Sequence, residues 1–205
     1  MTDQIIIAPE LGDILMFNAD ALFSKVQHVS TERWIKGVSP KSFLPGNRSH
    51  TAFGAGIVCG EVCVFESKMK ALIDPWSNVM YESHRIYRFN APPEAIAQMM
   101  NGLFTKDNYQ WYGFLRLPYF PYRKVVEHYL KIDVRRHRLM FPGGVICSQV
   151  FWLGADTMCQ IMNWQDMHDY LDEWRGYNFH SSDTQSVIDA FPNHITLIDN
   201  YNLPT

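Results

Sequence analysis

The sequence has no cysteine framework, no long apolar run and no large excess of one charge, and each absence removes a class of function. Its four cysteines, Cys59, Cys63, Cys147 and Cys159, show neither a C-x-x-C pair nor a zinc spacing, so neither a disulfide scaffold nor a zinc module is expected. No window approaches the roughly 18 apolar residues of a membrane span. The opening residues 1–10 carry no basic region and too short an apolar run for a signal peptide. The expected setting is a reducing cytoplasm with thiols free, although a phage or viral product released on lysis would look the same. With 18 basic against 21 acidic residues the formal charge is −3, which gives no global attraction to nucleic acid or anionic membranes. Neither an internal repeat nor a linker divides the chain.

What is present is a globular composition. At 205 residues, 47% hydrophobic and 19% charged, the chain suits one domain around a single core. The expected elements are a turn feeding a short buried strand within 11–17, a helix over 21–29 and a loop over 30–47. Two strands follow at 49–59 and 62–65, divided by a tight turn at Gly60-Glu61. Asp74 to Asn78 reads as a turn cluster, and His84 to Phe89 alternates polar and apolar residues as a half-exposed strand would. Pro92-Pro93-Glu94 opens a helix through Phe104, with proline tolerated at its first position. Residues 115–122 form an aromatic, proline-rich crossing, and 125–130 can be helical. From Ala155 to Arg175 the pattern is helical, with a break near Asn163, where an Asx cap would restart the helix. The last thirty residues look irregular.

Phe141-Pro142-Gly143-Gly144-Val145-Ile146-Cys147-Ser148 places a thiol after two glycines, with an apolar, potentially helical run behind it. A cysteine in the first turn of a helix meets unpaired backbone N–H groups and the positive end of the macrodipole. Both lower a thiol's pKa and supply donors for an oxyanion. Taken alone, Cys147 is better read as a buried structural cysteine, because free thiols are among the most buried side chains. His50 begins an otherwise apolar strand and Glu66 closes the next one; each taken singly has an ordinary structural explanation.

Together, and in this order, these residues resemble the permuted papain-like hydrolases of the NlpC superfamily, the YiiX-like and lecithin:retinol acyltransferase-like group. The matching features are Gly12-Asp13-Ile14, Ser49-His50, Phe65-Glu66 and Cys147-Ser148. Softer matches are Ile86-Tyr87-Arg88, the aromatic segment from Tyr109 to Leu115, and Phe191-Pro192-Asn193-His194-Ile195, where His194 replaces an acid. The resemblance spans residues 11 to about 198 and rests on order and spacing, since each motif is short. It implies an α+β domain with a central antiparallel sheet packed against helices, and a catalytic set of Cys147 as nucleophile, His50 as general base and Glu66 as orienting group. Cys147 would attack a carbonyl, His50 would protonate the leaving group, and water or another acceptor would resolve the thioester. No cofactor or metal is implied. The expected substrate is a peptide, a peptidoglycan isopeptide or a lipid amide. Lipid acyl transfer or thioester hydrolysis on the same fold, and a catalytically idle binding or virion component, are the alternatives.

Strand geometry sets a condition on Glu66. Side chains alternate faces, so His50 and Glu66 share a face only with an odd-length hairpin loop or a bulge, for which Gly54-Ala55-Gly56 is suited. Other polar groups carry less. Lys131, Arg135, Arg136, His137 and Arg138 form a basic cluster that could hold an anion but matches a solvated face. Trp111, Tyr112, Tyr119, Phe120 and Tyr122 could line a groove or pack a core. Asp166, His168 and Asp169 lack the spacing of a metal site.

Overall fold

The computed structural model describes residues 6–18, 48–67, 71–80, 84–105, 130–131, 147–173 and 181–201. The expectations for 21–29, 30–47, 115–122, 135–138 and 141–146, most of 125–130, and the aromatics from Trp111 to Tyr122 lie outside these residues.

One antiparallel sheet of six strands carries the fold. In chain order the strands are β1 (Ile14–Asn18), β2 (Arg48–Val58), β3 (Glu61–Ser67), β4 (Ala71–Pro75), β5 (His84–Phe89) and β6 (Ile195–Tyr201). Their spatial order is β4-β3-β2-β1-β5-β6. Among the described residues four helices accompany it: α1 (Pro93–Phe104), α2 (Cys147–Met162), α3 (Gln165–Asp172) and α4 (Ser181–Ala190). This is the expected α+β domain with a central antiparallel sheet.

The sheet is apolar on both faces, which explains why β1 reads as a continuous hydrophobic run. Ile14, Met16, Phe53, Phe65 and Phe89 meet Leu103 of α1 and Phe151 and Met158 of α2 in the larger core. Leu15, Phe17, Ala52 and Val64 turn the other way, toward Trp76 and Val79. β5 is buried at four of its six positions. It is therefore an interior strand between β1 and β6 rather than the half-exposed one its alternation suggests, and its polar Arg85 and Arg88 are only partly buried.

α2 forms because Cys147, Val150, Phe151, Gly154, Ala155, Met158 and Cys159 recur at three- and four-residue intervals and make one buried stripe. It ends at Asn163, whose φ of +55° and the hydrogen bond from the Trp164 amide to the Cys159 carbonyl (3.0 Å) close a Schellman turn. Asn163 thus stops α2 and does not cap α3, whose cap residue, Trp164, makes no side-chain capping bond. The hairpin turn lies at Cys59-Gly60, one residue earlier than expected, with Val58 paired to Glu61. Within the final thirty residues, 181–201 are not irregular: α4 buries Thr184, Val187 and Ile188, and β6 pairs with β5. β4 is likewise a strand ahead of the short 3₁₀ turn Trp76–Asn78, where only a turn cluster was expected.

Candidate active site around Cys147, His50 and Glu66

The β2–β3 ladder decides which face Glu66 takes. From the turn, Val58 pairs with Glu61, Ile57 with Val62 and Gly56 with Cys63. Continued without interruption, this register would set Glu66 opposite Phe53, on the helix-covered face. Instead the register shifts between Gly54 and Gly56, Gly54 pairs with Val64, and Glu66 stands opposite Ala52. Ala55 is the extra residue, and Gly56 takes the left-handed φ of +76° that a side chain would resist. Because Ala52 and His50 are two apart on one strand, the bulge puts Glu66 on the face of His50. The condition set by strand alternation is met by the bulge, since the two-residue turn alone would fail it.

His50 Nε2 lies 2.7 Å from Glu66 Oε2. Glu66 is fully buried, whereas the His50 side chain keeps 17% of its surface. Phe17, opposite His50 across the β1–β2 ladder, stacks on the imidazole with ring centroids 5.9 Å apart and planes at 30°. The carboxylate and the phenyl ring together hold the ring's orientation. With Nε2 engaged by Glu66, Nδ1 is the nitrogen left for the thiol.

Cys147 is the first residue of α2 and is 5% exposed. It is hydrogen-bonded to the His50 ring, and the backbone amides of Thr51 and Ser148 donate toward its sulfur. Burial would push the thiol's pKa up, but the neighbouring imidazole and these donors outweigh it, and the net direction is down. His50 shows the mirror image. Burial disfavours its charge, while Cys147 first and Glu66 second favour it, and its pKa is pushed up to about 10. Both directions favour a thiolate–imidazolium pair, with Glu66 as the buried counter-charge behind the imidazole. Such a pair supplies a nucleophile and, on the same ring, a proton for a leaving group.

All three expected residues therefore converge. Two contributors have no signal in the sequence. Phe17 is found only with the β1–β2 register in hand, and the Thr51 amide has no side-chain signal at all. Of the remaining cysteines, Cys63 and Cys159 are buried like Cys147, Cys59 is exposed at the hairpin tip, and none of the four is in a disulfide. The Cys159 thiol is pushed up to about 12 by burial and by the carboxylates of Asp156 and Asp166.

Asp166, His168 and Asp169 do not converge on one another. Asp166 accepts from His194 Nε2 at 3.0 and 3.2 Å, and Asp169 accepts from Gln165 at 2.6 Å. His168 faces Asp156 and Asp172 instead, with ligand atoms all within 4.8 Å of one another. These three could chelate a divalent cation, but as partly exposed groups with His168 3.5 Å from Asp156 they also make an ordinary surface ion pair. Asp156 stands nine residues after Cys147 on α2, about 13 Å away along the axis, so this cluster is separate from the thiol. Among the described residues no helix is long and apolar enough to cross a membrane.

The chain matches no protein-family model, no curated protein and no solved structure. The resemblance suggested by the motifs thus rests on those residues alone.

Proposed function

We propose that this protein is a cysteine hydrolase that cleaves an amide, a peptide or isopeptide bond of the kind found in peptidoglycan, through a thioester acyl-enzyme. The observation that carries the proposal is the three-residue relay itself. A helix-terminal thiol held down in pKa, an imidazole held up in pKa and a fully buried carboxylate on the far ring nitrogen are what acyl transfer from a poor leaving group requires. In the proposed cycle the Cys147 thiolate attacks the carbonyl carbon. The His50 imidazolium gives its Nδ1 proton to the departing amine, and the neutral imidazole then takes a proton from the water that opens the thioester. Glu66 stays ionised and keeps the ring's tautomer throughout. Amides at the start of α2 would face the oxyanion, a kind of donor whose removal in other enzymes costs roughly 3–4 kcal/mol.

The chain order of these parts, His50, then Glu66, then a helix-borne Cys147 behind the strands, supports a permuted papain-like arrangement. Transfer of the acyl group to another acceptor uses the same three residues, so the substrate test must include both kinds. Incubation with muropeptides and, separately, with phospholipids should leave an acyl mass on Cys147 from the muropeptides alone. An adduct formed only from phospholipids would replace hydrolase by lipid acyltransferase. No adduct from either, with Cys147 alkylating no faster than Cys59, would remove the enzyme reading.

A further inference from the structure

The loop ahead of β1 lies across the bulge that orients Glu66, and it is tied down from β5, the neighbour of β1 on the side away from β2. The Gly12 amide donates to the Gly54 carbonyl (2.8 Å) and the Gly54 amide to the Asp13 carbonyl (2.7 Å), so the β1–β2 ladder runs up to the bulge. Gly54 has no room for a side chain, because a Cβ there would collide with the Glu10 carbonyl oxygen. Leu11 covers the next glycine of the bulge, at 3.6 Å from a Gly56 Cβ position.

The loop's shape depends on Asp13, a carboxylate only 1% exposed. One of its oxygens accepts the Glu10 amide at 2.8 Å. Arg88 of β5 grips both oxygens, Nε to Oδ1 at 2.7 Å and Nη2 to Oδ2 at 2.8 Å. Arg88 also reaches the Glu10 carboxylate at 3.2 Å. A buried carboxylate held by a two-pronged guanidinium is geometrically stiff, so Glu10 is fixed directly over Gly54.

We propose that Asp13 and Arg88 are positioning residues for the His50–Glu66 pair, acting through Glu10 on the Gly54–Gly56 bulge that turns Glu66 to the face of His50. A merely structural ion pair would affect stability and leave the imidazole's environment alone. A positioning pair alters that environment. The inference rests on the His50–Glu66 geometry and does not require the chain to be a hydrolase.

The test uses the full chain with ¹⁵N-labelled histidine, following the His50 ring nitrogens against pH, alongside iodoacetamide labelling of Cys147 at pH 7. The variants are Arg88→Lys, which keeps the charge and loses the two-pronged grip, and Gly54→Ala, which forces the Glu10 carbonyl off the bulge. Each should lower the His50 protonation midpoint by about one pH unit, a tenfold loss of proton affinity, and slow labelling by roughly tenfold or more. Combining either with Glu66→Gln should add little beyond Glu66→Gln alone, because the two act on one contact. An unchanged His50 titration in folded Arg88→Lys, or fully additive losses in the double variants, would overturn the proposal. Should Gly54→Ala not fold, Arg88→Lys decides. Failure of every acyl substrate, by contrast, would remove the hydrolase reading and leave this test intact.

Discussion

Glu66 stands across the β2–β3 ladder from Ala52 instead of Phe53, and that one-residue difference puts its carboxylate 2.7 Å from the His50 ring. A fully buried carboxylate is costly unless it meets a charge. Here the imidazole, whose protonated form Glu66 favours, supplies that charge, and Cys147 is hydrogen-bonded to the same ring. Glu66→Gln removes the counter-charge but keeps the shape. It should lower the His50 pKa and let the Cys147 thiol rise toward its ordinary range. Alkylation at a pH below the thiol's midpoint should then slow by about tenfold for every pH unit that the midpoint climbs. Stopped-flow labelling with a neutral haloacetamide measures this directly. An unchanged rate would show that Glu66 does not support the pair.

The pH dependence of the site follows from the signs of the two perturbations. The His50 pKa is raised to about 10 and that of Cys147 is lowered, so the ion pair exists between the thiol's depressed pKa and about pH 10. Below that window the thiolate is protonated, and labelling should fall as pH drops. Above about pH 10 the imidazolium loses its proton. Alkylation needs only the thiolate and should not fall there, whereas the proposed amide cleavage needs the leaving-group proton and should decline. Parallel profiles of labelling and turnover therefore diverge on the alkaline side. If alkylation rose only near pH 9 with no plateau below, Cys147 would be an ordinary thiol.

Cys159 provides an internal control on the same helix. It is 2% exposed, and burial with two nearby carboxylates pushes its thiol up to about 12. At pH 7.5 a limiting dose of reagent should modify Cys147 first and leave Cys159 unmodified in the folded chain, as read by peptide mass mapping. Cys147→Ser should abolish the fast phase without exposing Cys159. Early modification of Cys159 would mean that α2 opens from the core under these conditions.

The residue types of the site are legible in the sequence because chemistry restricts them: a cysteine behind two glycines, a histidine opening a strand and a carboxylate ending one. The bulge is legible too, since Gly54 and Gly56 bracket the place where alternation has to break. Elements that depend on distant partners are not. β6 exposes Leu197 and Ile198 along the sheet edge and so lacks a two-residue rhythm. α4 is polar apart from Val187, Ile188 and Ala190, and only its packing against the sheet and α2 makes it a stable element. Phe17 meets His50 through a pairing 33 residues apart in sequence, which no local pattern encodes. Asn163 marks a break in the helical pattern, but an N-cap expected there proves to be a helix stop, because Asn suits both an N-cap and a left-handed C′ position.

The position of Cys147 depends on how closely α2 approaches the sheet, and Gly154 sets that distance. A Cβ added there would stand 2.7 Å from Phe53 Cζ and 3.0 Å from Cε2, with Leu103 Cδ1 at 3.4 Å. Phe53 is fully buried in the main core and has nowhere to move. Gly154→Val should therefore overpack the contact and cost about 1–3 kcal/mol. For a chain of this size that corresponds to a fall in melting temperature of roughly 2–4 °C per kcal/mol. Two turns separate Gly154 from Cys147, so a helix levered off Phe53 also draws the thiol away from His50. Calorimetry and Cys147 labelling should then change together. Gly154→Ala tests the same contact more gently: its gain in helix propensity, about 1 kcal/mol, opposes the clash, so stability should change less than in Gly154→Val. A valine variant as stable and as reactive as the parent would show that the helix–sheet distance does not govern the site.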